Sequence, residues 1–353
     1  MSDFFQKVSQ QYNQKLAFVM YSKPNSSTSF GLLQEDSNSY FLENYERKGF
    51  ILNSFTSEKK ILFPLDKCLQ ISTENNFEGI ETTSELKETY SEEVKLKFEN
   101  LVKNAIEEIE VGNYKKIVTS RSETVSIPDF DFIKSFKVLV QLYPTAFKYC
   151  AFHPEIGMWM GATPEQLLKV NKNTIQTVAL AGTKTKDKID EDWGEKEVVE
   201  QQLVTDFIVE SLEPFIAEKS VSEPYTYQAG NLLHIKTDIS AQLKNKMQLG
   251  EVINILHPTP AVCGFPKEKA KDFILENEGY NREFYAGFLG ELNYEAVNQE
   301  CENSDLFVNL RCMKIENKIA NIYVGCGITK DSQPELEFFE TVNKSKTIKK
   351  VLK

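Results

Sequence analysis

The 353-residue chain is long enough for one large domain or two ordinary ones, and its 41% hydrophobic and 26% charged content is that of an ordinary globular protein. A formal charge of −11 excludes broad binding to a polyanion, which needs a cationic face, but leaves room for a small anion held by a local cluster of cations. The six cysteines include no C-x-x-C pair and the three histidines never stand at H-x-x-x-H spacing, which speaks against a zinc site and for reduced, buried thiols.

No stretch approaches the length of apolar sequence that spans a bilayer, and MSDFFQKVSQQYN lacks the features of a secretory signal, so a cytoplasmic protein is expected. Short strands come first in chain order, at 15–21, 30–34, 49–55 and 59–65, followed by a polar stretch at 72–83. From Ser84 to Val111 apolar residues recur at helical spacing until Gly112 stops the run. A strand at 115–125, a helix near 130–143 and a strand at 147–153 follow, and 166–182 reads as a hairpin turning at 171–173. A long helix at 193–215 precedes a second hairpin over 226–243 that turns at Ala229-Gly230-Asn231. Helices near 249–256 and 267–277 bracket the proline-rich loop HPTPAVCGFPK. A third pair of strands, REFYAGFLGELNY and DLFVNLRCMKI, continues into KIANIYVGCGIT through a turn at Glu316–Asn317, and a helix from about 335 to 352 ends the chain. Hairpins separated by long helices imply antiparallel pairing. The expected fold is α+β: a single large domain of mostly antiparallel β-sheets with long helices packed outside.

Neither a G-x-G-x-x-G, a Walker loop nor a G-x-S-x-G elbow is present. The chemistry lies instead in carboxylates and cations. Glu197 and Glu200 share one face of the 193–215 helix, whose Val198, Leu203 and Val204 are expected to be buried. Glu337 and Glu340 repeat that spacing in the last helix, with Lys344 one turn on. Two such pairs suit a hard divalent cation; read alone, each is more often a solvated helix face. In KKIVTSRSETV, Lys116 shares a strand face with Val118 and Ser120, as a snorkelling edge charge or as a desolvated base; alternation alone does not say whether it or Lys115 points inward. Gly161 and Pro164 would set Glu165 just after a tight turn at the start of a strand, either exposed or lodged in a pocket that raises its pKa. Gly325 and Gly327 permit close approach to main-chain N–H groups, and Arg311 inside an apolar strand has the geometry to grip a carboxylate.

The segments KIVTSR, GATPEQLL, ALAGT, EKEVVEQQLV, HIKTDI, HPTPAVCGFPK, REFYAG, LFVNLR, VGCGIT and ELEFFETVNKSKTI resemble, in order, the chorismate-utilising enzymes. That family holds isochorismate synthases, salicylate synthases and the large subunits of anthranilate and aminodeoxychorismate synthases. The resemblance implies one domain over 1–353, with residues 1–95 a variable β-rich part and 96–353 the catalytic core. It implies Lys116 as general base and Glu165 as general acid, Mg²⁺ held by Glu200 and Glu340 with support from Glu197 and Glu337, and a carboxylate grip by Tyr285 and Arg311 with backbone at Gly325 and Gly327. Lys344 would stand near the metal and the ring carboxylate, and His234 would line the ring. The loop HPTPA, with Ala261 where ammonia-using relatives carry threonine, resembles the isochorismate synthase form, as does Ala181 where a lysine would mark aminodeoxychorismate synthases. Chorismate is then the substrate and Mg²⁺ the cofactor. No glutaminase subunit, nucleic acid or membrane partner is expected, and resemblance to isochorismate synthases, many of which act as monomers, allows a monomer while leaving the oligomeric state open. The product would feed menaquinone or siderophore synthesis. Salicylate synthase, which goes on to eliminate pyruvate, is the nearest competing reading. A non-catalytic small-molecule binding protein is the competitor from another class.

Overall fold

The computed structural model describes residues 3–77, 90–229, 232–298 and 300–352. The chain begins with α1 (Asp3–Asn13), β1 (Phe18–Ser22), β2 (Thr28–Gln34), β3 (Gly49–Asn53), β4 (Lys60–Pro64) and β5 (Cys68–Glu74). There follow α2 (Glu92–Glu110), β6 (Lys116–Ser126), α3 (Phe132–Leu142), β7 (Phe147–His153), β8 (Gly157–Thr163), β9 (Gln166–Asn171) and β10 (Thr174–Thr185). Next are α4 (Glu195–Leu212), β11 (Ile216–Val221), β12 (Tyr225–Ala229), β13 (Leu232–Leu243), α5 (Leu249–Leu256), β14 (Gly264–Phe265) and α6 (Lys267–Asn277). The last part carries β15 (Phe288–Leu292), β16 (Tyr294–Glu295), β17 (Glu300–Cys301), β18 (Asn303–Val308), β19 (Cys312–Glu316), β20 (Ile319–Ile328) and α7 (Pro334–Lys349).

Two nine-stranded sheets form the body, and all their pairings are antiparallel. The first runs β14-β6-β20-β19-β8-β7-β1-β2-β5. The second runs β11-β13-β10-β9-β18-β15-β3-β4, with β12 on β13. Alternate residues of β1 explain why its sequence is a continuous apolar run. Val19 and Tyr21 join a core shared with Phe50, Leu168 and Leu306 of the second sheet, whereas Phe18 and Met20 join a separate cluster with Phe4, Phe136 and Leu139 under α1 and α3. In α2, Phe98, Leu101, Val102, Ala105 and Ile109 are buried at three-to-four-residue spacing, and the Ser91 hydroxyl caps the helix by accepting from the Val94 amide. Helix α4 packs on β10 and β13 of the second sheet; α7 packs on β20 of the first. The α+β, antiparallel expectation agrees with this architecture.

Several local expectations need correction. The edge strands β5 and β11 read as polar connections because most of their residues face water. Residues 282–287 are turns, not strand, with Glu283 and Ala286 at positive φ. The expected strand through 305–315 is broken: β18 belongs to the second sheet and β19 to the first, so the chain changes sheet at Asn309–Arg311. Gly161 lies inside β8, where a Cβ would meet Cys312 and the Arg311 carbonyl, and is not a turn residue. The start of the helix expected from Ser84 and the Gly230-Asn231 turn lie outside the described residues.

Candidate active site

The chain passes from the first sheet to the second between β8 and β9, and back between β18 and β19. These two crossings lie side by side. The Val308 amide donates to the Glu165 carbonyl at 2.9 Å, the Ala162 amide to the Arg311 carbonyl at 3.1 Å, and the Thr163 hydroxyl to the Val308 carbonyl at 2.5 Å. Asn309, fully buried, pins the corner: its amide side chain donates to the Phe284 carbonyl and accepts from the Tyr149 hydroxyl. Each crossing delivers one functional side chain, Glu165 from the first and Arg311 from the second, to a cavity of about 230 Å³. Arg311 adopts φ +49°, a left-handed conformation that a turning chain imposes.

The same cavity is lined by Lys116, Glu197, Glu200, His234, Ala261, Tyr285, Gly325, Gly327, Glu337, Glu340 and Lys344, so every residue singled out from the sequence reaches one place. Lys116, not Lys115, faces inward; Lys115 is exposed and lies over the Phe265 ring. Lys116 Nζ stands 2.5 Å from Glu200 Oε1, and Lys344 Nζ stands 2.5 Å from Glu340 Oε1 and 3.0 Å from the Gly325 carbonyl. Glycine at 327 is required by this approach, since a Cβ there would stand 2.7 Å from Lys116 Cε. At Gly325 a Cβ would stand 2.8 Å from the Tyr285 hydroxyl.

Burial raises the pKa of Glu165 from 4.5 to about 7, against the pull of Lys116, Lys344 and Arg311. The Arg311 guanidinium makes no hydrogen bond or ion pair with another described residue, and burial holds its pKa below the ordinary arginine value. It is a cation facing the cavity in search of an anion. His234 donates from Nδ1 to the Gly182 carbonyl at 2.9 Å, and burial lowers its pKa, which keeps the ring neutral. The loop at 257–262 forms a wall. Val262 and Cys263 amides bond back to the Thr259 carbonyl, and the His257 ring donates to the Phe55 carbonyl at 3.1 Å. No side chain of that loop between Pro258 and Val262 is acidic or basic, so Ala261 offers shape alone.

Four carboxylates from two helices on one cavity are the donor set a hard cation prefers. Among the described residues no three ligating side chains converge as they stand. Glu200 and Glu340 instead hold the two ammonium groups, and Glu340 feels the charge of Glu200. The residues therefore fit such a cation in kind and position, with Lys116 and Lys344 as its internal competitors.

Two expectations on α4 fail: Val198 is 48% exposed and Leu203 only half-buried, while Val204 with Gln201 belongs to the buried face. Sequence reasoning also passed over Tyr323, Thr183, Leu310 and Cys326, which line the cavity. Tyr323 stacks on Tyr285 at 5.6 Å between ring centroids and was legible only as one more aromatic in a strand.

The family model described as "Chorismate binding enzyme" matches residues 50–353. "Salicylate biosynthesis isochorismate synthase" of Pseudomonas aeruginosa is 29% identical over 267 residues, covering 72% of this chain and 54% of the relative. "Isochorismate synthase MenF" of Bacillus subtilis is 29% identical over 256 residues, covering 69% and 53%. The chain thus spans about half the length of the curated relatives it matches. A crystal structure of a putative 2,3-dihydroxybenzoate-specific isochorismate synthase, DhbC, from Bacillus anthracis superposes with a TM-score of 0.77 at 23% identity. It covers 98% of this chain and 99% of that one, and so shows the fold.

Proposed function

From the premise that this chain belongs to the chorismate-binding enzyme family, we propose that it is an isochorismate synthase, converting chorismate to isochorismate. The observation that carries the reading is the meeting of an amine, Lys116, and a proton-retaining carboxyl, Glu165, on one cavity that also presents Arg311 to an anion.

The substrate is a dianion, and Arg311 and Lys344 supply positive charge to it inside a chain of net charge −11. Arg311 and the Tyr285 hydroxyl grip the enolpyruvyl carboxylate, with main chain at Gly325 and Gly327 close by. His234 and Ala261 bound the ring. Glu200 and Glu340, with Glu197 and Glu337 in support, would hold a Mg²⁺ ion, which would supply electrophilic activation to the substrate. Lys116, parted from Glu200 and with its own proton already given up to solvent, takes a proton from water as the water oxygen bonds to C2. The ring double bonds shift, the C4–O bond breaks, and Glu165 protonates the departing hydroxyl. One proton is taken and one given, so no net acid or base is consumed. A cytoplasmic, glutaminase-independent enzyme belongs to the same reading; no helix among the described residues is long and apolar enough to cross a membrane.

Incubation with chorismate and Mg²⁺, with products resolved by chromatography, tests the proposal. Isochorismate without pyruvate is the expected outcome. Salicylate with pyruvate would instead identify a salicylate synthase, and tight binding without turnover a binding protein.

A further inference from the structure

Behind the cavity, and not lining it, lies a buried ion pair that the proposed chemistry does not use. Arg282 is 2% exposed and Glu278 5%. Arg282 Nε donates to Glu278 Oε2 at 2.8 Å and a terminal nitrogen donates to Oε1 at 2.5 Å. That same nitrogen donates to the Val118 carbonyl at 2.7 Å, and the other donates to the Val262 carbonyl at 2.9 Å. Glu278 Oε1 accepts from the Ser120 amide at 2.7 Å and from its hydroxyl at 2.8 Å. The guanidinium carbon stands 4.6 Å from the Phe55 ring centre and 5.6 Å from that of Tyr285.

The partners of this pair carry the walls of the cavity. Val118 and Ser120 follow Lys116 on β6, Val262 follows Ala261 on the proline-rich loop, and Tyr285 is the phenol beside Gly325. A direct bond, Val118 amide to Cys263 carbonyl at 2.9 Å, also joins strand to loop, so Arg282 spans a junction held from both sides. A buried ion pair is seldom the cheapest route to stability, because desolvation offsets its attraction. What a planar, five-donor fork gives that an apolar pair cannot is a fixed distance between the two carbonyls it bridges.

We propose that Arg282, oriented by Glu278, is a positioning residue that sets the separation between the strand bearing Lys116 and the wall bearing Ala261, and with it the place of the ring between base and acid. The inference rests on the isochorismate synthase reading for its kinetic consequence, though not for the clamp itself.

Truncation at 282 would strand a buried carboxylate and threaten the fold, so the test uses Arg282→Lys and Glu278→Gln. A lysine at 282 reaches Glu278 but has no fork to bridge two carbonyls; a glutamine at 278 keeps an acceptor for Ser120. In Arg282→Lys we expect cooperative melting, faster hydrogen exchange in peptides covering 116–120 and 259–264, and unchanged exchange in β7 and β8. The kcat on chorismate with Mg²⁺ falls on the order of 100-fold, the cost of a misplacement near 1 Å, while KM changes little. Glu278→Gln shows the same pattern to a lesser degree. Two results overturn the proposal: wild-type kcat in Arg282→Lys, or a loss of kcat accompanied by loosened exchange throughout both sheets, which marks a purely structural pair. If the wild-type protein does not convert chorismate, the functional reading fails, while local exchange at 116–120 still decides the clamp.

Discussion

Glu165 gives the sharpest test, because its burial and its role pull the same way. With its pKa raised from 4.5 to about 7, the carboxyl is about half protonated at pH 7 and about one-tenth protonated at pH 8. A general acid must hold its proton in the free enzyme. The alkaline limb of kcat/KM for chorismate should therefore break near pH 7 and fall about tenfold per pH unit above it. Glu165→Gln removes the proton and should cost roughly 10²- to 10⁴-fold in kcat. Stability varies with pH in the same direction. Between 4.5 and about 7 the folded chain binds more protons at this site than the unfolded one, so the group's contribution is favourable at low pH and is lost as pH rises. The full rise corresponds to about 3 kcal/mol, which the opening of the carboxyl to the cavity reduces to about 1–2 kcal/mol. Glu165→Gln should thus be the more stable protein at pH 8 by about that amount and show no advantage at pH 4.5. Chromatographic rates from pH 6 to 9, with denaturant titrations at both pH values, measure both sides. An alkaline limb absent below pH 9, or a glutamine variant within tenfold of wild type, would refute the assignment.

Lys344 lowers the Glu165 pKa, so Lys344→Met should move the alkaline limb to higher pH whatever it does to the rate; a limb that stays put contradicts the shared field. Lys116→Ala should lose roughly 10²- to 10⁴-fold in kcat yet still bind chorismate by calorimetry, whereas retained turnover excludes its service as base. Mg²⁺ at about 100 times its Kd should stabilise the protein by about 2.7 kcal/mol, and Glu200→Gln or Glu340→Gln should abolish that thermal shift; an unmoved wild-type midpoint would exclude the site. Gly327→Ala meets the flexible Lys116 side chain and should cost activity with little stability. Gly325→Ala meets the Thr119 carbonyl at 2.6 Å and should cost about 1–3 kcal/mol in urea unfolding.

The side chains of the candidate site were legible because they are misfits in their surroundings. Lys116 stands in a β-branched run and Arg311 in an apolar one, and a charge in such company needs a reason. Helices α5 and α6 were legible to the residue, bracketed as they are by proline and by a clear 3.6-residue rhythm. The way the chain gathers these residues was not legible. A strand that leaves one sheet for another keeps its period of two and its apolar content, so LFVNLRCMKI reads as unbroken while the chain turns at Arg311. Partners far apart in sequence leave no local trace either: Lys116 and Glu200 are 84 residues apart, Val118 and Arg282 164.

The expected boundary between a variable part, 1–95, and a catalytic core from 96 follows no break in the fold, and the family model already matches from residue 50. Residue 95 falls inside α2, and the strands before it are shared out, β1, β2 and β5 to the first sheet, β3 and β4 to the second. The segment just after β3 reaches the back of the cavity. The Phe55 ring centre stands 4.6 Å from the Arg282 guanidinium carbon, and the carbonyls of Ser54 and Phe55 accept from the His257 ring at the start of the proline-rich wall. Lys116 rides on the first sheet, Glu165 and Arg311 stand where the chain changes sheet, and the carboxylate pairs come from one helix on each. The distance between acid and base is therefore set by how the two sheets dock. Their shared core includes Tyr21, Phe50 and Phe63 from β1, β3 and β4. A substitution that disturbs this docking should therefore disturb the separation of Lys116 and Glu165, which ties the cavity to packing on the far side of the two sheets.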